Sequence, residues 1–579
     1  MKKHILFPLF AVIALTGCTF GSKSSSSSSH TTNSQISVDD PDEIDVVETD
    51  DEFAISSKDG QFSNSGSIYT ISDAGTYSLS GKLEGQILVS AGDSDEVVLE
   101  LNGASISYDQ DSPIKVTNAS KVEISAKKDT DNIIKDNRSA KTTEISSQGE
   151  GAISADVDLK LKGYGTLVVT GNYNNGVFTS KDLTIQNLTL KSTGYNNAIK
   201  GKDSISVTSG TLQAYASNGN GFKTDDSDTS SKGNQRGTIA IDGGSVYVDS
   251  LRDAFDASYN IEIDEVSSDV STSISIKTGK NSSYYTSSFK ADSEKGLKAA
   301  NEIIINKGTV TISASDDAIH SNYGTSLENG KKGLGNITIN DGLIEVASGD
   351  DGLHADNTLT INGGTVLVTG ATEGFEGNYI NINGGHSYIY GTDDGVNCSK
   401  KSFSSCAFTM SGGYLDVAVK NGDTDGIDSN GSFSLSGGTI VTRGSPGSTG
   451  SGMSTGLDVD GTISMTGGTL IAFNGLEKSP SSSSTIKYAG TSNANSSMGG
   501  GFGGPGGPGA KSSSSSISFS SGSYVLSGDG LDISFVNDYV YGSFQIYSGS
   551  LVSNKTYTLY KDGSSLLSWT QTSNSVTIS

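Results

Sequence analysis

Apolar and polar residues alternate in short segments between Glu150 and Asp460, and small residues separate the segments. In one copy, Leu359-Thr360-Ile361 and Thr365-Val366-Leu367-Val368 flank Asn362-Gly363-Gly364. Such alternation predicts two β-strands, and the glycine pair predicts a tight corner between them. Each copy ends at a second corner. This corner is a three-residue motif: an acidic or polar residue, then Gly or Ala, then an apolar residue. It begins at Glu150, Asn175, Asn197, Asn220, Asp253, Lys295, Asp317, Asp351, Glu373, Asp394, Asp425 and Thr455.

The fixed spacing of these copies indicates a repeat architecture. Uninterrupted copies are 21 to 25 residues apart, and strands this short cannot bury a core unless the copies stack. We predict an all-β fold, a right-handed parallel β-helix of about 22-residue coils over residues 53–478. Two inward ladders are predicted, one of Ile305, Ile339, Ile361, Ile382, Met410, Leu435 and Met465, and one of Val246, Val310, Ile344, Val366, Leu415, Ile440 and Leu470.

Three insertions interrupt the repeats at the same point of the copy. Residues 225–236, 321–335 and 399–405 all follow the acidic corner and precede the next first strand. Stacked copies would bring them to one side as a lip. Such a lip is typical of a binding face, although the same arrangement arises if this corner merely tolerates loops best.

The segments around the repeats differ in composition. Residues 19–52 are Ser-rich and then acidic, with too few apolar residues to fold alone, which predicts a tether. Residues 479–516 are rich in Ser, Gly and Pro, which predicts a flexible loop. Residues 517–579 resume alternating strands with aromatic residues, including Trp569, and predict a small C-terminal β cap over the open end of the repeats.

Residues 1–18 predict an export signal. Lys2 and Lys3 precede an apolar run that is too short to span a bilayer but fits a signal peptide. Leu15-Thr16-Gly17-Cys18 resembles the lipobox of bacterial lipoproteins, in which the cysteine is acylated; the alternative is an ordinary signal peptide with an incidental cysteine. We expect a lipid on Cys18 to anchor an exported lipoprotein to a membrane, at the cell surface or outer membrane.

Charge restricts the partners. The formal net charge is −26, so the chain repels phosphate backbones and nucleic acid is excluded as a partner. An acidic polysaccharide would also be repelled unless cations intervene. We expect a monomer.

The ordered motifs resemble a known family. Gly171-Asn172-Tyr173-Asn174-Asn175-Gly176-Val177, the Gly-Gly-Thr and Asp-Asp-Gly units, and Ile71-Ser72-Asp73-Ala74-Gly75-Thr76-Tyr77 before them are similar to the clostridial-type carbohydrate-binding β-helix family. The resemblance covers roughly residues 60–575. It implies binding of cellulose or pectate-like polymers, bound calcium, and a fold related to calcium-dependent pectate lyases.

Aspartates recur at the second corner of different copies. Stacked carboxylates repel one another, and calcium, a hard cation with six to eight oxygen ligands, is suited to neutralise them. For a single aspartate, the alternative is turn chemistry before glycine. The predicted calcium ligands are Asp316, Asp317, Asp350, Asp351, Asp393, Asp394, Asp423, Asp425 and Asp428.

Other side chains are candidates for sugar contacts. An outward column three residues after the corner runs through Lys200, Lys223, Asp256, Lys298, His320, His354, Glu376, Asn397, Asp428 and Asp458. Its Lys298 and His354, with the outward aromatics Tyr247, Tyr388 and Tyr390, are the predicted carbohydrate contacts; the alternatives are a solvated edge and strand packing. Cys398 and Cys406 bracket the insertion at residues 399–405 and predict a disulfide.

The leading functional hypothesis is a non-catalytic surface protein that binds plant-type or acidic polysaccharide with calcium. No catalytic residue is predicted, because a column of aspartates does not select one pair for hydrolysis. The first alternative is a calcium-dependent polysaccharide lyase, for which Lys420 is the only base nominated. The second is a structural adhesin without glycan specificity.

Overall fold

The computed structural model describes residues 36–141, 148–267, 270–446, 454–481, 484–491 and 517–578. Signal segment 1–18 with Cys18, most of the Ser-rich tether and most of the loop at 479–516 lie outside the described residues. Within them the chain is all-β, dominated by one long, mainly parallel sheet, with a single 3-10 turn at Gly279–Asn281 and no α-helix. None of these residues belongs to a helix that could cross a membrane.

Most strands fall into three parallel ladders, A, B and C, which the chain visits in turn. Each strand pairs with its equivalent in the next triplet, as Ile303–Ile337, Val310–Ile344 and Ile319–Leu353 do. Ladder A comprises Glu96–Tyr108, Lys121–Ala126, Leu159–Gly163, Asp182–Gln186, Ser204–Val207, Thr238–Ile241, Asn260–Ile263, Glu302–Ile305, Asn336–Ile339, Leu353–Ile361, Phe375–Ile382, Ala407–Met410, Ser432–Leu435 and Ile463–Met465.

Ladder B comprises Asp131–Asp136, Thr166–Gly171, Leu188–Gly194, Gly210–Ala216, Gly244–Ser250, Thr272–Thr278, Thr309–Ser313, Leu343–Ala347, Thr365–Ala371, His386–Gly391, Tyr414–Val419, Thr439–Arg443 and Thr469–Phe473. Ladder C comprises Ile68–Ile71, Gln86–Ser90, Ile114–Asn118, Gly151–Ala155, Asn175–Thr179, Ile199–Gly201, Phe222–Lys223, Phe255–Ala257, Leu297–Ala299, Ile319–Ser321, Val396–Cys398, Ile427–Ser429 and Leu457–Val459. The first halves of Leu353–Ile361 and Phe375–Ile382 also belong to ladder C.

The predicted ladders are confirmed in register. The isoleucine and methionine column from Ile305 to Met465 lies in ladder A, fully paired and buried. The second inward column lies in ladder B, where Ile274 and Ser387 fill positions absent from the prediction. Each copy therefore has three strands rather than two, because the three-residue segment after the acidic corner also pairs.

Two kinds of glycine shape the corners, for different physical reasons. The second glycine of each pair has a positive φ, such as +75° at Gly364, which favours glycine over any L side chain. The glycine after the acidic corner has no such φ. At Gly395, a Cβ atom would lie 2.7 Å from the carbonyl oxygen of Gly426 and would clash with Val417. This corner therefore needs glycine for close packing rather than for a turn conformation.

Replacing Gly395 with alanine is therefore expected to destabilise the protein by about 1–3 kcal/mol through overpacking. Gly370 is the matched control, because it has no positive φ and a Cβ there would meet no atom within 4 Å. Urea unfolding of both variants checks the difference. Equal stability of the two variants would contradict the packing explanation.

Asparagines at the corner between ladders A and B form an amide ladder over four successive triplets. Asn340 donates to Asn306, Asn362 to Asn340, and Asn383 to Asn362, at 2.8–2.9 Å. Ser411 continues it by donating to Asn383 at 2.9 Å. Every donor points toward the preceding triplet, so the ladder is directional.

Antiparallel strands cover both ends of the ladders. Near the start of the repeats, Ala54–Ser57 pairs with Gly75–Glu84, which itself pairs with Glu96–Tyr108, and Phe62–Ser65 pairs with Ile68–Ile71 of ladder C. At the other end, Phe544–Ser548 pairs antiparallel with Thr469–Phe473, the last strand of ladder B, and covers its edge. The remaining terminal strands are Lys487–Thr491, Gly522–Gly528, Leu531–Asn537, Thr556–Lys561, Ser564–Thr570 and Ser575–Ile578.

Candidate metal and carbohydrate site

The corner aspartates Asp253, Asp317, Asp351, Asp394 and Asp425 share a structural role. One side-chain oxygen accepts the backbone N–H of the equivalent residue in the next triplet: Asp317 Oδ1 from Asp351 at 3.0 Å, and Asp394 Oδ1 from Asp425 at 2.8 Å. Asn197 does the same for Asn220 at 3.1 Å. The column therefore satisfies backbone donors at the bend, and only the second oxygen of each carboxylate is available for other partners.

In the upstream half of the column, cationic side chains take the second oxygen. Lys295 Nζ lies 2.8 Å from Asp316 and 2.5 Å from Asp317. Although burial opposes it, His320 and Lys295 hold the pKa of Asp317 well below its usual range. Of the predicted calcium ligands, Asp316, Asp317 and Asp350 have oxygens close enough to share an ion, and Asp350 and Asp351 form a second such group with Glu373. Lysine and imidazole already supply positive charge there.

The downstream half is different, because its carboxylates are not compensated. In the described part of the chain, no Lys, Arg or His nitrogen lies within ion-pair distance of Asp394, Asp425 or Asp428. Burial, with repulsion from neighbouring carboxylates, raises the pKa of Asp394 to about 8 and of Asp428 to about 7. Burial likewise raises the pKa of Asp425 to about 6.

These groups border an open cavity of about 360 Å³, which we call the acid pocket. It is lined by Asp393, Asp394, Asp423, Asp425, Ser454, Thr455, Asp458 and Glu477. Asp428 pairs in register with Asp458 beside it. Five predicted ligands thus fall at or beside one pocket, and Asp458 and Glu477 join them. Glu477 was missed because it follows the last repeat and carries no repeat signal.

The strand register of the column predicted to point outward is confirmed. Its side chains are less exposed to solvent than predicted. Strand pairing aligns all ten of its residues in ladder C. Lys298 is half-buried and bound to Asp253 at 3.1 Å, and Glu376 is buried under Lys401 of an insertion. The insertions cover part of the column, so it is not a free edge.

The predicted exposure of Tyr247 and Tyr390 is wrong. The Tyr247 hydroxyl donates to Asp40 at 2.7 Å, because the acidic segment from residue 36 to 52 lies across ladder B. Lys277 holds the same carboxylate at 2.7 Å. Tyr390 is buried beside the C-terminal strands, and the half-buried Tyr388 ring packs on Tyr414 at 5.8 Å. None of these rings is an open sugar platform.

The predicted disulfide is also wrong. Cys398 and Cys406 are free and buried. Cys398 is turned into the core at the end of its strand, and the Cys406 thiol donates to the Cys398 backbone carbonyl at 3.2 Å. This hydrogen bond, rather than a covalent link, joins the two ends of the insertion.

The three insertions form a continuous lip, as predicted. Ser227 and Glu328 exchange hydrogen bonds at 2.8 and 2.9 Å between the first two. The Tyr323 ring lies 4.6 Å from that of Phe403 in the third, and the Tyr379 ring lies 6.1 Å from Phe403. We call Tyr323, Tyr379 and Phe403 the aromatic patch. Sequence reasoning missed it because it depends on contacts between separate loops.

Comparison with known proteins confirms the family resemblance over part of the chain. A family model described as carbohydrate-binding domain-containing protein matches residues 65–334. A relative of the same description from Acetivibrio thermocellus is 32% identical over 200 residues, which cover 33% of this chain and 65% of the relative. A gadolinium derivative of the polysaccharide lyase-like protein from C. thermocellum is 29% identical, with a TM-score of 0.35 over 38% of this chain and 86% of that one.

Proposed function

We propose that the protein is a non-catalytic, calcium-assisted polysaccharide-binding lipoprotein of the cell surface, anchored through Cys18 and tethered by residues 19–52. Its three ladders wind as a right-handed parallel β-helix, and residues 517–579 act as its cap. The family match at residues 65–334 supports polysaccharide as the partner. The ligand class we propose is a plant-type or acidic glycan.

The observation that carries the calcium part is the acid pocket. Asp394 and Asp425 each retain an oxygen that the backbone does not use, and no described Lys, Arg or His forms an ion pair with a carboxylate that lines the pocket. Calcium suits such a pocket because it accepts six to eight oxygen ligands in irregular geometry and supplies the missing charge. A bound calcium would also reduce repulsion between this acidic chain and an acidic polymer. Calcium at Asp316, Asp317, Asp350 and Asp351 stays a prediction.

The aromatic patch is proposed as the sugar platform. Tyr323 is 41% exposed, and its insertion lies on the same side as that of Phe403. Sugar rings have apolar faces, which aromatic side chains cover while the hydroxyl groups stay in water. The patch therefore replaces Tyr247, Tyr388 and Tyr390 as the proposed contact surface.

Pull-down on polygalacturonate and cellulose tests the proposal. We expect binding to the acidic polymer in calcium, its loss in chelator, and at least tenfold weaker binding in the Asp394→Asn/Asp425→Asn variant, in which charge is removed at constant shape. Tyr323→Ala should weaken binding to both polymers. Asp532→Asn is the control, since Asp532 is exposed on a terminal strand away from the pocket.

Three results would overturn the proposal. Binding that is unchanged in chelator would remove calcium from the mechanism. Release of unsaturated uronides, abolished by Lys420→Ala, would make the protein a lyase. Failure to bind any glycan would leave the adhesin alternative.

A further inference from the structure

Two histidines stack in ladder C, separate from the acid pocket. His320 and His354 pair in register, and their ring centroids are 4.3 Å apart. Each side chain is only 11% exposed. Buried imidazoles in direct contact are costly if both are charged, unless several anions surround them.

Carboxylates surround the Nδ1 atoms of both rings. Asp317 Oδ2 lies 2.5 Å from His320 Nδ1 and 3.8 Å from His354 Nδ1. His354 Nδ1 also has Asp351 Oδ2 at 2.9 Å and Glu376 Oε2 at 3.1 Å. The donor atoms of Asp317, His320 and His354 lie within 4.8 Å of one another, as do those of Asp351, His354 and Glu376.

A single carboxylate faces the opposite nitrogens. Asp356 Oδ1 lies 3.6 Å from His320 Nε2 and 3.3 Å from His354 Nε2, and its other oxygen accepts the Tyr323 N–H at 2.8 Å. A carboxylate behind the far nitrogen is the arrangement that orients histidines as metal ligands. Asp356 therefore turns both Nδ1 atoms toward Asp317.

Glu376 is a further candidate ligand. Its side chain is 1% exposed, Lys401 and Ser399 bind Oε1, and the buried Oε2 lies 3.1 Å from His354 Nδ1. A buried carboxylate needs such a positively charged partner. This one is aimed at His354 Nδ1, where it could complete a coordination shell.

We propose that Asp317, His320 and His354 bind a divalent transition ion of the zinc class, with Glu376 or Asp351 as the fourth ligand. Imidazole nitrogens select such ions over calcium, and two nitrogens with carboxylate oxygens suit tetrahedral zinc. The ion would also join two successive triplets beside the lip.

Metal binding to the full protein without a histidine tag tests the proposal. After chelation, we expect one zinc ion per chain by equilibrium dialysis in millimolar calcium, and intense visible absorption when cobalt replaces zinc. His320→Phe and His354→Phe keep ring volume and should each weaken zinc binding at least tenfold. His386→Phe is the control, because His386 is exposed on ladder B.

Two further measurements distinguish loss of the zinc site from misfolding of a variant and from loss of calcium binding. Nitrogen NMR shifts of labelled histidines should report loss of the Nδ1 protons when zinc is added, which a misfolded variant cannot imitate. Asp394→Asn/Asp425→Asn should bind zinc normally even if it loses calcium. No zinc binding, full binding in both histidine variants, or histidine nitrogen shifts that do not change when zinc is added would overturn the proposal.

Discussion

Replacing Arg443 with alanine is expected to lower the free energy of unfolding by about 3–5 kcal/mol, because a buried carboxylate would lose its cationic partner. Arg443 is 1% exposed and forms an ion pair with Asp416, itself 5% exposed. It also donates to Asn537 Oδ1 at 2.7 Å and to the Val536 carbonyl at 2.8 Å. One side chain therefore joins ladder B to a terminal strand.

The fluorescence of Trp569 can report unfolding of the terminal strands that Arg443 contacts. It is the only tryptophan and lies on Ser564–Thr570 among the terminal strands. In Arg443→Ala, the fluorescence transition should move to lower urea and separate from the circular dichroism transition of the ladders. Arg252→Ala is the control, since the Arg252 side chain forms no ion pair with a described residue and donates to the Asn218 carbonyl at 3.1 Å. Unchanged fluorescence unfolding would show that Arg443 does not stabilise this junction.

In the absence of divalent cations, stability is expected to fall as the pH rises from about 5 to 8. Burial among like charges raises the pKa values of Asp394, Asp425 and Asp428 to between about 6 and 8, against 3.8 for an ordinary aspartate. Above pH 4 the unfolded chain has released these protons while the folded protein still holds them. This stabilisation is complete below pH 4 and is lost as the pH passes through 6 to 8.

His354 acts in the same direction: burial opposes protonation, but Asp351 and Asp356 raise its pKa to about 10. Melting curves in chelator at several pH values test the prediction, and we expect a fall of several degrees. Asp394→Asn should flatten the pH profile, whereas Asp532→Asn should not. Calcium should stabilise the protein more at pH 8 than at pH 5. A melting temperature that rises across this range in chelator would contradict the pKa assignment.

The strand registers could be predicted because they depend on local periodicity. A one-residue slip would turn every inward side chain outward, so the column from Ile305 to Met465 fixes ladder A. The repeated spacing of Asp317 to His320 and of Asp351 to His354 was also visible, and it is the signal that could have located the histidine cluster.

Long-range contacts could not be predicted in this way. Tyr247 is covered by Asp40, which is 207 residues away, and no periodicity relates the two. Glu376 has an outward register but is buried because an insertion supplies Lys401. Lys295 neutralises Asp316 and Asp317 from a neighbouring triplet, whereas nothing equivalent follows Asp394. Which half of the aspartate column lacks a lysine partner therefore depends on packing.

The directional asparagine ladder bears on how such a chain evolves. If residues 362–382 were deleted, Ile361 would be joined to Asn383, and Asn383 would face Asn340, the partner that Asn362 has now. The glycine pair at Gly384 and Gly385 would replace that at Gly363 and Gly364. A recombination event that inserts or deletes one repeat thus gives a chain in which the asparagine hydrogen bonds at this corner can still form. Molecular length can therefore change by whole units between descendants while the ends are retained, although this particular deletion would also remove Glu376 of the proposed zinc site.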